Sequence, residues 1–201
     1  MRDAAGRILG LYDRHAAAWD ALRNEGNFPE RYWVERFAGR LPSGARVLDL
    51  GCGSGRPVAE YLVGRGFRLT GIDGAPALID LCRERFPDHH WQVGDMRRLD
   101  LGETFDGLIA WYSLFHLPPD DQGRMFSVLA AHAEPGTVLA FTSGDTADES
   151  IGSFEGEPLY HASLAPEEYR TLLESAGFRL IDGALNDAAR GGLSVWIAVK
   201  E

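Results

Sequence analysis

The chain is poor in the features that would take it out of water or onto a nucleic acid. Two cysteines in 201 residues, Cys52 and Cys82, are too few for a disulfide framework. No apolar run reaches the roughly 20 residues that cross a bilayer, and no N-terminal stretch resembles a signal peptide, so a cytoplasmic protein with no membrane partner is expected. Lysine is almost missing. Of 20 basic residues only Lys200 is a lysine, so no Gly-Lys-Ser/Thr phosphate loop exists. The formal charge is -10, with the acidic excess C-terminal to residue 46, which removes the electrostatic footprint that DNA or RNA requires. Cys82, His89 and His90 are loosely spaced around Pro87, and no metal is expected there. Repeats are absent.

What is present is an ordinary aqueous composition, 45% hydrophobic and 25% charged, long enough for one sizeable core. Apolar residues alternate between strand-like and helix-like spacing. Strands are predicted at 46–50, 67–73, 90–94, 105–111, 137–142, 178–182 and 194–200, with helices at 57–64, 76–86, 120–132 and 166–176. Such alternation gives a mostly parallel sheet covered by helices on both faces. The last two strands lack an intervening helix, so they form an antiparallel hairpin at the sheet edge. Residues 143–165, rich in Gly, Ser, Asp and Glu, read as a long loop. Ahead of this body, the spacing of three and four from Ile8 to Leu22 predicts one helix over 7–23, and a second is predicted over 29–41. The division is therefore an extension, 1–45, and a main domain, 46–201.

The organising stretch is Val47 to Gly55, V-L-D-L-G-C-G-S-G: a buried strand, three alternate glycines, and a helix. Without side chains, the glycines let a flat ligand lie against backbone, beside the free N–H groups of a helix start. Asp73 follows Gly55 by 18 positions at the end of the next strand, where a carboxylate can take both hydroxyls of a ribose. A dinucleotide fingerprint fails, because Arg56 stands where its last glycine belongs.

V-L-D-L-G-C-G-S-G, T-G-I-D at 70–73 and V-G-D-M at 93–96, in this order, resemble the S-adenosylmethionine-dependent methyltransferases of the Rossmann-like class. The resemblance runs from Arg46 to the C-terminus. It implies a three-layer αβα sandwich around a mostly parallel seven-stranded sheet of order 3-2-1-4-5-7-6, strand 7 antiparallel, with S-adenosylmethionine as cofactor. By the same resemblance Asp73, with Gly74, would hold the ribose, and Asp95 and Met96 the adenine. Asp49, Gly51, Gly53, Ser54 and Gly55 would lie against the methionine portion, and the N-terminal helices would form a lid, with Tyr12 and Trp19 lining the cofactor or acceptor. Family members place the methyl group and acceptor beside the fourth strand's end, here A-W-Y-S-L-F-H-L at 110–117. Trp111 would offer its ring to the sulfonium, and Tyr112 and Phe115 would face the acceptor. His116 is the ring nitrogen suited to taking a proton, or else a cap of the turn before Pro118. Tyr160 and His161 are further acceptor candidates.

No Asn/Asp-Pro-Pro-Tyr motif follows the fourth strand, which argues against the amide and ring-nitrogen acceptors of the families that carry it. The expected activity is methylation of a small molecule on oxygen or nitrogen. The alternatives are a protein that binds the cofactor without methylating, as a sensor or by using another of its carbons, and, further off, an NAD-dependent oxidoreductase.

Overall fold

The computed structural model describes residues 1–24 and 28–201. In chain order the helices are α1 (Arg2–Gly6), α2 (Ile8–Arg14), α3 (Ala16–Asn24), α4 (Arg31–Ala38), α5 (Val58–Gly64), α6 (Pro76–Arg85), α7 (Pro119–Ala131) and α8 (Pro166–Ser175). The strands are β1 (Arg46–Leu50), β2 (Arg68–Asp73), β3 (His90–Val93), β4 (Phe105–Ala110), β5 (Ala133–Ser143), β6 (Asp148–Phe154), β7 (Glu157–Ser163), β8 (Phe178–Asp187) and β9 (Leu193–Lys200).

Seven strands form one sheet of order β3-β2-β1-β4-β5-β9-β8. Pairings from β3 to β5 are parallel, and β9 runs antiparallel to both β5 and β8. This is the expected order once the two inserted strands are set aside. Successive residues of a strand point to opposite faces, and β1 is buried on both. Val47 and Ile109 pack on one side with Phe37 of α4, Leu62 of α5 and Ile79 of α6. Leu48 and Leu108 pack on the other with Phe126 of α7 and Leu173 of α8. The two layers fix the carboxyl ends of β1 to β4 as a rigid rim, and the ligand crevice of such sheets opens there.

Three expectations are corrected. Residues 143–165 are not a loop: β6 and β7 pair antiparallel from Asp148↔Ser163 to Phe154↔Glu157, closed by Glu155 and Gly156, both at positive φ. All of β6 but Phe154 is exposed, so it lacks the inward apolar alternation by which a strand is read. The helix expected over 7–23 is two, broken at His15, and α1 precedes them. The break lets the extension curve over the sheet's rim, where the Asp13 carboxylate accepts the Ala77 N–H at 2.9 Å. Finally, β8 continues to Asp187, beyond the expected stop at 182.

Candidate functional site

The glycine turn folds back against β2, with the N–H groups of Gly51 and Cys52 donating to the Ile72 carbonyl at 2.7 and 3.1 Å. Gly51, Gly53 and Gly55 have φ of 77°, 57° and 79°, a region that side chains disfavour. Their bare positions face different neighbours. A Cβ on Gly51 would stand 2.3 Å from Ser113 Cβ, and one on Gly55 would stand 3.0 Å from Phe86. Gly55 is therefore a packing glycine between the turn and α6, outside the cleft. Gly51→Ala combines backbone strain with a clash, so it should destabilise the fold by about 2–4 kcal/mol. Chemical denaturation would check this, and a change below about 1 kcal/mol would mean the turn relaxes freely.

Asp73 ties the site together. One carboxylate oxygen accepts from the Gly53 N–H and the other from the Ala75 N–H, both at 2.9 Å. Each oxygen keeps a lone-pair direction for a ligand hydroxyl. Asp49, only 2% exposed, lies close enough for the two charges to interact. Burial, and then the neighbouring Asp73, push its carboxyl up to about 7. Asp73 is also raised by burial, against the pull of its backbone donors.

At the end of β3, both Asp95 oxygens are engaged by Arg97, whose Nε donates to Oδ1 at 2.8 Å. That guanidinium holds the Asp95 carboxyl below its ordinary range. Met96 lines the cleft beside it.

The extension closes the cleft from above. The Tyr12 hydroxyl lies 2.9 Å from His116 Nε2, and His116 Nδ1 lies 2.8 Å from the Tyr160 carbonyl. A carbonyl only accepts, so Nδ1 carries the proton, Nε2 accepts, and Tyr12 donates. Burial lowers His116 to about 4 and raises Tyr12, so both are neutral near pH 7. Trp19 Nε1 sits 3.2 Å from where a Gly53 Cβ would be, and Leu9 Cδ2 sits 2.4 Å from the corresponding point on Gly74. The β6–β7 tip clasps these helices. Glu157 Oε2 accepts from Arg14 Nη2 at 2.6 Å, and its Oε1 lies 2.7 Å from His15 Nε2. Arg14, then His15, hold the Glu157 carboxyl down to about 2. Phe154 packs 6.0 Å from the rings of both Tyr12 and Trp19.

Beyond β4, Trp111 and Tyr112 line the cleft. Tyr112 has φ 54°, rare for a residue with a side chain, and its N–H donates to Thr142 Oγ1 at 3.0 Å. The Trp111 Nε1 is buried and has no acceptor among the described residues. The residues present suit a nucleoside with an amino-acid tail: bare glycine backbone, a ribose-sized carboxylate at Asp73 and an unused indole donor.

Of the residues the sequence pointed to, the cleft gathers Tyr12, Trp19, Asp49, Gly51, Gly53, Asp73, Gly74, Asp95, Met96, Trp111, Tyr112 and His116. Five stand outside its wall. Ser54 is fully buried, and its carbonyl accepts from Arg85 at 3.0 Å. Gly55 faces Phe86, and Phe115 packs 5.4 Å from the His161 ring behind His116. Tyr160 is 1% exposed, with its hydroxyl donating to Glu149 at 2.7 Å. What Tyr160 gives the site is its carbonyl. Sequence reading missed Leu9, Arg23 and Arg97 in the cleft, and Phe154 and Glu157 in the clasp. Arg23 was findable, lying four residues beyond Trp19 on the same helical face.

Residues 47–136 match the family model described as a methyltransferase domain. The magnesium-protoporphyrin O-methyltransferase of Rhodobacter capsulatus is 36% identical over 108 residues, covering 50% of this chain and 47% of its own. The 2-phytyl-1,4-naphtoquinone methyltransferase of Thermosynechococcus vestitus is 33% identical over 134 residues, covering 61% and 59%. The chain thus spans about half the length of such curated relatives. Among solved structures, the Burkholderia thailandensis 1,6-didemethyltoxoflavin-N1-methyltransferase, with that compound and S-adenosylhomocysteine bound, superposes with TM-score 0.77 at 20% identity, covering 99% of this chain and 89% of its own. At that identity the likeness concerns the fold.

Proposed function

Because the chain carries a methyltransferase domain of the S-adenosylmethionine-dependent class, we propose that it transfers a methyl group to an oxygen or nitrogen of a small molecule. The observation that carries the reading is the cleft at the ends of β1, β2 and β3, where bare Gly53 and Gly74 flank the fully anchored Asp73. Asp73 would hold the ribose hydroxyls, and Gly51 and Gly53 would carry the methionine portion. Met96 and the capacity left on Asp95 Oδ2 would meet the adenine, Oδ1 being filled by the Arg97 backbone N–H and Nε. S-adenosylmethionine supplies a methyl group already activated by its sulfonium, so the protein's task is alignment and exclusion of water. To admit a ligand on Gly53 and Gly74, Trp19 and Leu9 must withdraw from them, which makes the extension a lid.

Within the closed site, His116 acts on Tyr12. Its Nε2 takes the Tyr12 hydroxyl proton in a hydrogen bond, which turns the phenol oxygen's lone pairs toward the cleft. Tyr12 would then present this oxygen to the cationic sulfonium, with His116 as the residue that positions it. Tyr12→Phe should lower kcat/KM about tenfold, the worth of one neutral hydrogen bond of about 1–1.5 kcal/mol. Adding His116→Ala should cost little more, since both changes remove one interaction. Additive losses in the double variant would sink this pairing. The proposed function itself is tested by heating the protein with S-adenosylhomocysteine or NAD. Stabilisation by the former alone is expected, roughly 2.7 kcal/mol at a hundred times its Kd, and none would end the reading.

A further inference from the structure

We infer that the acceptor is a carboxylate, held at the β4 end of the cleft by the Arg23 guanidinium and methylated on oxygen to its methyl ester. The inference rests on the methyl-transfer reading and adds the substrate class.

Charge is divided along the cleft. Asp49 lies near the end of β1, Asp73 ends β2 and Asp95 follows β3, the side assigned to the nucleoside. Arg23 reaches from α3 to the β4 side, where its guanidinium carbon lies 4.7 Å from the centre of the Tyr112 ring and 5.9 Å from that of Trp19. Its Nη2 donates to Glu30 at 2.6 Å, and Glu30 is 1% exposed. The buried acid and the aromatic face fix the plane of a cation that has five donors. Glu30 is its one hydrogen-bonded partner among the described residues, so among these the fork has N–H groups left for a second carboxylate. The other two arginines on the cleft wall are committed elsewhere, Arg56 to Glu60 at 3.2 Å, and Arg97 to Asp95 and Asp121.

The chemistry agrees with the site's protonation. His116 Nε2 is occupied by Tyr12, and burial keeps both Tyr12 and Tyr112 as phenols, Tyr112 being pushed up to about 12. No free base faces the β4 end among the described residues. A carboxylate needs none. Its oxygen forms the O–CH3 bond as the C–S bond breaks, and the bonding pair stays on sulfur. Anion and sulfonium become neutral ester and neutral thioether, with no proton to move. The aromatic walls, Trp19, Trp111 and Tyr112, favour an acid with an apolar or flat body.

The test is a thermal shift of the S-adenosylhomocysteine-loaded protein with benzoate, phenylacetate and hexanoate, each against its amide. At least one acid should raise the melting temperature while its amide does not. Arg23→Gln with Glu30→Gln keeps a neutral hydrogen-bonded pair in place of the ion pair, so no buried charge is stranded. That double variant should lose the acid-dependent shift yet bind S-adenosylhomocysteine and 5′-methylthioadenosine within about threefold of the parent. The inference is overturned if amides bind as well as acids, or if no acid binds. It also falls if the variant weakens S-adenosylhomocysteine but not 5′-methylthioadenosine, for then Arg23 reads the nucleoside's own carboxylate. A parent protein that binds neither nucleoside would instead remove the methyl-transfer reading beneath it.

Discussion

Asp73→Ala should weaken S-adenosylhomocysteine binding by two to four orders of magnitude. Hydrogen bonds to a charged group contribute about 1.5–3 kcal/mol each, and a ribose presents two hydroxyls, so about 3–6 kcal/mol is at stake. The same carboxylate accepts the N–H groups of Gly53 and Ala75, so the variant also frees two backbone donors at the turn. Calorimetry must therefore be run beside a melting curve. A folded variant that binds within threefold of the parent would refute the role of Asp73, whereas an unfolded one would speak only for its backbone bonds. Asp73→Asn is the control for the latter, since the amide oxygen still serves one of the two N–H groups.

Asp49 should make both stability and binding depend on pH near neutrality. Its ordinary carboxyl range lies near 3.8, and in the folded chain it rises to about 7. Between those values the folded state holds a proton that the unfolded chain has released, so stability falls as pH rises from about 4 to about 7. Three pH units correspond to about 4 kcal/mol as an upper bound. Asp49→Asn should therefore be more stable than the parent at pH 8 and match it near pH 4. Equal stabilities at pH 8 would show that the buried charge costs nothing. For the ligand the sign reverses. An ammonium beside Asp49 favours the ionised form, so S-adenosylhomocysteine affinity should drop as pH is lowered from 8 to 6, by at most tenfold per unit, and the Asn variant should be flat.

These two acids were legible because strand ends are legible. Asp49 and Asp73 close apolar runs whose length and flanking glycines define strands, and the sheet order then brings their ends together. His116 was visible as a residue but not in its role, since its meaning comes from Tyr12, 104 positions earlier, and from a backbone carbonyl at Tyr160. No spacing encodes a pairing of that range. The β6–β7 hairpin was illegible for a different reason. It forms a sheet of its own, its first strand β6 buries little, and it is made of residues that elsewhere form loops. Arg23 fell between the two cases: its helical face was predictable, but its neighbours Glu30 and Tyr112 come from separate elements.

The clasp between Glu157 and the Arg14–His15 pair spans about 143 positions. Chains grow from the N-terminus at roughly 5–20 residues per second, so α2 leaves the ribosome on the order of ten seconds before its anchor is made. During that interval Tyr12 and Trp19 lack Phe154, and Tyr12 lacks His116. The segment from α2 to α3, synthesised well before residue 157, is thus among the last to settle, and a nascent chain halted before residue 157 has an open cleft with an apolar, unanchored cover. Such an intermediate would be vulnerable to proteases at α2 and α3 and would gain protection only when the hairpin closes.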